Sequence, residues 1–224
     1  MIPIKDRNPT HRFPIFTILI ILVNIVVFLY EISLDVKALE SFFLTYGVVP
    51  FSVNGAFGQG LLDPMAVFPL LSSMFLHGGI LHLGGNMLYL WVFGDNIEDK
   101  LGRGRFLAFY LLCGLAATLL HIVIDPTSTV PTVGASGAIS GVLGAYLLMF
   151  PKARVVTIIP IFFFLQVAEL PALIVLGFWF VIQFFNGIAS LGYETAGMGG
   201  VAWWAHIGGF IVGLLFVIPL RKYR

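Results

Sequence analysis

The sequence predicts an all-α polytopic membrane protein. Three observations support that fold class: an apolar composition, six apolar stretches, and basic residues that fall on one side of them. The chain has 224 residues, of which 59% are hydrophobic and 10% are charged. A soluble domain carries roughly a quarter charged residues. This chain therefore has too few polar groups to cover a water-exposed surface, which excludes an ordinary soluble domain.

Six apolar stretches define the predicted membrane helices. Several are shorter than the ~20 residues that a full span needs, so we expect them to lie inside a bundle or to thin the bilayer locally. The stretches cover about residues 13–32, 79–94, 106–124, 136–150, 171–188 and 202–220.

The lysines and arginines set the predicted orientation. If six spans are drawn, eleven of the twelve basic residues fall on one side, and Lys37 alone falls on the other. Cytoplasmic loops of membrane proteins carry such an excess of basic residues, whereas five or seven spans would scatter it. The sequence therefore predicts six spans with both termini in the cytoplasm.

Two connecting segments have unusual compositions. Residues 33–76 form a long external connection that is rich in aromatic residues, so we expect it to lie in the membrane interface. Residues 155–167 are apolar but too short to span, and they contain Pro160. This segment is interpreted as a re-entrant or interfacial one on the cytoplasmic side.

Four polar side chains within the predicted spans fall at one depth. Counting back from the nearest basic residue at about 1.5 Å per residue puts Ser136 roughly 24 Å, His206 roughly 22 Å, Asn86 roughly 21 Å and His82 roughly 27 Å from the cytoplasmic side. In a hydrocarbon core about 30 Å thick, all four lie in the outer half. Polar groups in hydrocarbon are costly and usually functional, so their coincidence indicates a site.

These residue types are the components of acyl-transfer chemistry. A serine such as Ser136 needs a base to remove its proton, and His206 can act as that base. Asn86 and His82 are four residues apart on one helix face and can donate to an oxyanion. Ser136 also begins a helix, where backbone N–H groups are unpaired. No carboxylate lies at this depth, so the sequence predicts a dyad rather than a triad.

Close helix packing is the alternative interpretation of the same segments. The spacings Gly137-x-x-x-Gly141 and Gly209-x-x-x-Gly213 alone indicate that helices approach closely. A membrane serine also bonds the carbonyl four residues earlier more often than it reacts. Packing accounts for the glycines but not for four polar groups at one depth. No zinc motif or mid-span aspartate pair is present, so neither a metal nor a cofactor is predicted.

Three motifs resemble those of the rhomboid family of intramembrane serine proteases. GASGAISG at residues 134–141 resembles the segment around the family's nucleophile. AHIGGFIVG at residues 205–213 resembles the segment around its base, and HGGILHLGGN at residues 77–86 resembles its histidine-rich segment. Each motif is weak alone, but the three occur in family order on the corresponding predicted spans.

The resemblance implies a six-span rhomboid-like bundle with one domain over residues 1–224. Residues 33–76 would be its external interfacial loop, and residues 77–220 its catalytic core. Ser136 would be the nucleophile and His206 the general base and acid. His82, Asn86 and the backbone N–H of Ser136 would bind the oxyanion.

Further roles follow from the resemblance alone. Gly134 would shape the turn before the nucleophile, and Gly137 and His77 would be structural residues near the site. Glu98 would tie the cytoplasmic loop to the helix after it. The fifth span, with Phe184 and Phe185, would flex to admit substrate.

Two departures from the family pattern concern the surroundings of the site. Ser140 occupies a position where the family often has an aromatic residue that stacks on the histidine. Near residues 68–72 the chain lacks the Trp-Arg pair of many members. The first departure affects the orientation of His206, and the second affects how the external loop is anchored.

The sequence therefore predicts a protease of a prokaryotic plasma membrane. It would cleave transmembrane segments of other proteins near the outer face through an acyl-enzyme. Its partners would be these substrates and the lipid bilayer, with no nucleic acid or metal. One alternative is a non-catalytic rhomboid-like scaffold that binds transmembrane clients. A small transporter is a third possibility, but the inner halves of the spans are nearly all apolar.

Overall fold

A computed structural model describes residues 1–58, 67–191 and 201–220, and this part of the chain is mostly helical. One strand precedes the helices, and two more lie between the seventh and eighth. The elements are β1 (Ile2–Asp6), α1 (Ile15–Glu31), α2 (Val36–Tyr46), α3 (Pro50–Gly58), α4 (Pro69–Ser72), α5 (Ile80–Leu101), α6 (Arg103–Ile124), α7 (Ser136–Met149), β2 (Arg154–Ile161), β3 (Phe164–Pro171), α8 (Ala172–Ser190) and α9 (Trp203–Val217).

Six of these helices coincide with the six predicted apolar stretches: α1, α5, α6, α7, α8 and α9. By length and composition, α6 and α8 are able to cross a membrane, while α1, α7 and α9 are shorter apolar helices. Helix α5 continues to Leu101, beyond the predicted end at residue 94, because its charged last turns are covered by the N-terminal segment.

Helix α7 is the centre of the molecule. Its residues from 137 to 146 are all buried, and it packs against α5, α6 and α9. The glycines on α7 and α9 allow the two backbones to approach closely, as expected of small-x-x-x-small faces. This packing places the first residue of α7, Ser136, beside the first turns of α9.

The prediction of an all-α chain is wrong for residues 2–6 and 154–171, which form a three-stranded antiparallel sheet in the order β1-β2-β3. Residues 155–167, interpreted from the sequence as a re-entrant or interfacial segment, lie in its β-hairpin. The run of Val, Thr and Ile in β2 favours a strand, because branched side chains pack well on a pleated surface. Phe162 and Phe163 at the hairpin tip are 95% and 98% exposed.

The N-terminal segment fastens this sheet to the helices. The Tyr146 hydroxyl on α7 donates to Asp6 Oδ2 at 2.5 Å. Arg7 forms an exposed ion pair with Glu169 of β3, with Nη2 and Oε1 2.7 Å apart. Its backbone N–H donates to the carbonyl of Arg154 at 2.8 Å. The hairpin that leads into α8 is thus held at its base by the start of the chain.

Short helices fill much of the connection predicted as an interfacial loop, outside residues 59–66. Asp35 caps α2 by accepting from the N–H of Ala38 at 2.9 Å. Val48 pairs with Thr132 in an isolated antiparallel bridge, which ties the connection to the segment before α7. The Ser72 hydroxyl donates to the carbonyl of Tyr46 at 2.7 Å. These contacts anchor the connection near residues 68–72 without the Trp-Arg pair.

Glu98 does not have the role that the resemblance implied. Its Oε2 accepts from the N–H and the hydroxyl of Thr17, each at 2.8 Å, and Oε1 accepts from the N–H of Phe16 at 3.0 Å. The residue before α1 is Pro14, which provides no side-chain cap. The first N–H groups of a helix need acceptors from outside it, and Glu98 supplies them across the bundle.

Candidate active site

Ser136 is the first residue of α7, and a glycine-dependent turn precedes it. Gly134 has φ +130°, a conformation that L side chains rarely adopt, and its N–H donates to the carbonyl of Ser73 at 2.8 Å. A Cβ on Gly134 would lie 2.7 Å from His82 Nε2 and 3.6 Å from Ser136 Oγ. A side chain at position 134 would therefore collide with the His82 ring.

Ser136 and His206 are in hydrogen-bond contact. Ser136 Oγ lies 2.7 Å from His206 Nε2, although the two residues are 70 positions apart in the chain. Gly137, which follows Ser136 on α7, packs closely against α6, since a Cβ on Gly137 would lie 2.7 Å from Ala117 Cβ. The 2.7 Å between Ser136 Oγ and His206 Nε2 is within the reach expected of a nucleophile and its base.

The other ring nitrogen of His206 contacts Gln183 of α8. Nδ1 lies 2.7 Å from Gln183 Oε1, and the glutamine side chain is buried. Trp179 and Trp203 flank the histidine ring, with centroids 6.0 and 6.1 Å away. Aromatic contact with His206 therefore comes from α8 and α9 and not from the position of Ser140.

Gln183 lies in the fifth apolar stretch, and the sequence analysis assigned it no role. The available signal was a pair of amide residues, Gln183 and Asn186, in a strongly apolar helix. An unpaired polar group in hydrocarbon is costly, which favours a specific partner for a buried amide. Which partner it finds depends on the distance between α8 and α9, and spacing in the sequence does not give that distance.

Ser140 makes a local hydrogen bond one turn after Ser136. Its hydroxyl donates to the Ser136 carbonyl at 2.6 Å, and the side chain is buried. This is the bond to the residue four positions earlier that membrane serines often form.

The two predicted oxyanion donors of α5 lie in different surroundings. The His82 ring lies against Gly134, two residues before Ser136, with Nε2 2.7 Å from the place that a Cβ on Gly134 would take. Asn86 Nδ2 lies 3.0 Å from His77 Nε2, and the rings of His77 and His82 are 5.0 Å apart. Within the described part of the chain, the hydrogen bond of the Asn86 side chain is to His77 and not to Ser136. An amide has two N–H groups, so this bond leaves one for another acceptor.

Glu31, which the sequence analysis did not identify, binds the start of the histidine-rich segment at His77. It ends α1 with 1% of its surface exposed, and both carboxylate oxygens accept from the His77 backbone N–H, at 3.2 and 3.3 Å. The chain of contacts from Glu31 through His77 to Asn86 links α1 to α5. His77 thus combines a backbone contact with a ring contact.

The two phenylalanines predicted at a substrate gate lie on α8. Phe184 and Phe185 are exposed in the structure, and their ring centroids are 6.0 Å apart. Gln183, the residue before them, is buried and contacts His206. A gating role for the phenylalanines remains a prediction.

Comparison with known proteins supplies the family context of this site. The family model described as Rhomboid domain matches residues 64–223. The chain is 31% identical over 155 residues to "Rhomboid protein 1, mitochondrial" of Saccharomyces cerevisiae, which covers 66% of this chain and 40% of that protein. It is 32% identical over 158 residues to "Presenilin-associated rhomboid-like protein, mitochondrial" of Bos taurus, covering 66% and 37% respectively.

A bacterial protein is also similar. The chain is 38% identical over 138 residues to "Rhomboid protease GluP" of Bacillus subtilis, which covers 60% of this chain and 24% of that protein. The matches thus span two fifths or less of the length of these relatives.

The predicted location in a prokaryotic plasma membrane is wrong. The relatives from yeast, cattle and zebrafish are named as mitochondrial proteins, so the family resemblance does not single out a prokaryotic membrane. Apolar stretches and the placement of basic residues describe how a chain crosses a bilayer. They carry no information on which bilayer it crosses, so the sequence argument had no basis for choosing between them.

Proposed function

The chain belongs to the rhomboid family, and from that premise we propose that it is an intramembrane serine endopeptidase with Ser136 and His206 as its catalytic dyad. The observation that carries the proposal is the 2.7 Å distance between Ser136 Oγ and His206 Nε2. A serine hydroxyl is a weak nucleophile unless a base removes its proton, and a histidine nitrogen at this distance can remove it.

Acylation uses both residues. As Ser136 Oγ bonds to the scissile carbonyl carbon, its proton passes to His206 Nε2, and the carbonyl oxygen becomes an oxyanion. Collapse of this intermediate breaks the C–N bond, and His206 returns the proton to the leaving nitrogen. The product is an ester on Ser136, the acyl-enzyme.

Deacylation repeats the sequence with water as the nucleophile. His206 Nε2 accepts a proton from the attacking water, and the second intermediate collapses with cleavage of the ester bond to Ser136 Oγ. The proton then returns to Oγ, and the carboxyl product leaves. Each step needs only the dyad, a water molecule and donors for the oxyanion.

Three donors are proposed for the oxyanion. The His82 ring lies against Gly134, two residues before Ser136, and Asn86 retains one N–H beyond its contact with His77. The Ser136 backbone N–H lies in the first turn of α7, where helical N–H groups have no intrahelical acceptor. Donors fixed before the reaction stabilise the negative charge without reorganisation. Gly134 is proposed to keep the approach of His82 open.

The proposed architecture is one domain over residues 1–224, with six spans and both termini on the side where lysine and arginine cluster. Residues 33–76 form the connection on the opposite side, and residues 77–220 contain the catalytic core. The agreement of six helices with six apolar stretches supports this assignment. Labelling of cysteines introduced at Lys5 and Lys37 from either side of sealed vesicles tests it, since the two labels should react from opposite sides.

The proposed substrates are transmembrane segments of other membrane proteins, cleaved near the face at which α7 begins. An extended peptide must reach Ser136, so a segment with small residues at the cut and a weak helix beside it fits best. The family resemblance supports this substrate class.

A fluorophosphonate probe tests the proposed function. The probe forms a phosphorus–oxygen bond to an activated serine and loses fluoride, so it reports the nucleophile without a known substrate. We expect labelling of the purified chain, and its loss in both Ser136→Ala and His206→Ala. The exposed residues Ser33 and His11 provide matched controls, because Ser33→Ala and His11→Ala should label as the unchanged chain does.

A non-catalytic scaffold that binds transmembrane clients is the competing function. The cattle relative is named rhomboid-like and not protease, so its name does not assign it catalysis. Absence of labelling in a folded, unchanged chain would favour the scaffold and contradict the proposed dyad.

A further inference from the structure

We propose that Gln183 is the positioning residue of the His206 base, so that Ser136, His206 and Gln183 act in line. This inference rests on the proposed protease function. The supporting contact is the 2.7 Å separation of His206 Nδ1 and Gln183 Oε1. An amide oxygen can only accept a hydrogen bond, so this contact requires the ring proton on Nδ1.

The position of that proton decides what the other nitrogen can do. With hydrogen on Nδ1, the Nε2 atom carries a lone pair and faces the Ser136 hydroxyl at 2.7 Å. This is the tautomer that a general base needs, and in serine hydrolases a third residue usually selects it. In this chain the third residue is a neutral amide from another helix.

The packing of α8 against α9 brings Gln183 close to His206. In its second half, only Gln183 and Gly187 are buried. Gly187 lies one turn further on, where a Cβ would be 3.1 Å from Ile207 Cδ1 of α9. The small residue allows the two helices to approach closely, which brings the glutamine within reach of His206.

The same helix also supports the face of the ring. Trp179 precedes Gln183 by four residues, so both lie on one face of α8. The Trp179 ring is inclined by 32° to the His206 ring. Helix α8 therefore fixes the ring by a hydrogen bond at its edge and by an aromatic contact at its face. This arrangement takes the place of the aromatic residue absent at position 140.

The position of α8 also affects activity. Because Gln183 and Trp179 both belong to α8, a displacement of this helix relative to α9 removes the hydrogen bond from Nδ1 and the aromatic support together. The base is then aligned only when α8 is in place. A glutamine that merely satisfied its own buried amide would not link helix position to the rate of the chemical step.

Variants of Gln183 separate these roles when probe labelling is followed over a range of probe concentrations. Gln183→Met keeps the length of the side chain without the acceptor. We expect the maximal rate of Ser136 labelling to fall by about tenfold to a hundredfold, the cost of a misplaced catalytic group, with little change in the apparent probe affinity. Gln183→Glu restores an acceptor oxygen at the same reach and should recover most of the rate.

Controls keep the result specific. Gln166 is an exposed glutamine on the β-hairpin, and Gln166→Met should label at the unchanged rate. If Gln183→Met does not fold, Gln183→Asn serves instead, because it keeps the amide but draws the oxygen back by one methylene. A folded Met or Asn variant that labels at the unchanged maximal rate overturns the inference. Absence of labelling in the unchanged chain contradicts the proposed function itself, so the two failures are distinguishable.

Discussion

A Cβ atom on Gly209 would lie 2.0 Å from the carbonyl oxygen of Gly137. The backbones of α9 and α7 are therefore in direct contact one turn from the dyad. Gly213 stands in the same relation to Gly141, again at 2.0 Å. The glycine spacing that indicates packing is also what sets the distance between Ser136 and His206.

Gly209→Ala tests this dependence. The added methyl group must push α9 away from α7, and overpacking of this kind costs about 1–3 kcal/mol. We expect a lower unfolding temperature and a large loss of probe labelling at Ser136. Gly177→Ala is the matched control, because it lies inside α8 with open space around it and should label normally. Normal labelling in Gly209→Ala would show that the backbone contact between α7 and α9 does not determine the distance between Ser136 and His206.

Asn86→Ala tests the proposed oxyanion site. Removal of one oxyanion donor slows turnover by roughly 10²-fold or more, so we expect that loss in the rate constant for cleavage of a transmembrane substrate. Asn24→Ala is the control, since Asn24 is a buried helical asparagine whose amide donates to the carbonyl of Ile20 on its own helix. Normal turnover in Asn86→Ala would limit Asn86 to its contact with His77.

The close packing around Ser140 accounts for the absence of an aromatic residue one turn after Ser136. The Ser140 Cβ lies 3.3 Å from the place that a Cβ on Gly209 would take, so Ser140 faces α9 where the two backbones are in contact. We expect Ser140→Tyr to destabilise the chain by about 1–3 kcal/mol through overpacking. Ser140→Ala loses a single local hydrogen bond and should cost about 1 kcal/mol or less. Thermal unfolding in one detergent compares them, and equal unfolding temperatures would contradict this explanation.

The helices and the two residues of the proposed dyad were accessible from the sequence for a physical reason. A membrane helix needs a long apolar run, and such runs are visible without any tertiary information. The common depth of Ser136 and His206 follows from helical rise, which is constant. Their 2.7 Å contact agrees with that estimate, although depth alone does not establish which helices are neighbours.

The sheet and the partners of Gln183 and Glu98 were not accessible in this way. A short apolar run suits a membrane segment and a buried strand equally well, so residues 155–167 were ambiguous. Their pairing with β1 joins residues about 150 positions apart. Gln183 and Glu98 each bond to a different helix, and the sequence contains no measure of which helix lies opposite.

Glu98 provides a test of the helix cap that replaces its expected role. Glu98→Ala leaves the buried N–H groups of Phe16 and Thr17 without an acceptor, which costs about 1–3 kcal/mol. Glu98→Gln keeps one acceptor oxygen and should be milder. The unfolding temperatures of the two variants measure this difference. An Ala variant as stable as the unchanged chain would show that the contact does not stabilise α1.

The titration of Asp6 makes the attachment of the N-terminal strand dependent on pH. Burial raises the pKa of Asp6 from 3.8 to about 6, and the hydrogen bond from Tyr146 only partly opposes this. A carboxyl whose pKa is raised in the folded state stabilises the fold when protonated. Its contribution is therefore fully present below pH 3.8, and it is lost as the pH rises through about 6.

Asp6→Asn isolates this effect, because the amide keeps an acceptor oxygen for the Tyr146 hydroxyl but does not titrate. The unfolding temperature of the unchanged chain should fall relative to the variant as the pH rises from 4 to 7, with the difference levelling off above the folded pKa. Limited proteolysis near Arg7 provides a local measure, since cleavage of the unchanged chain should increase over the same range. A difference that does not vary with pH would contradict the assignment to Asp6.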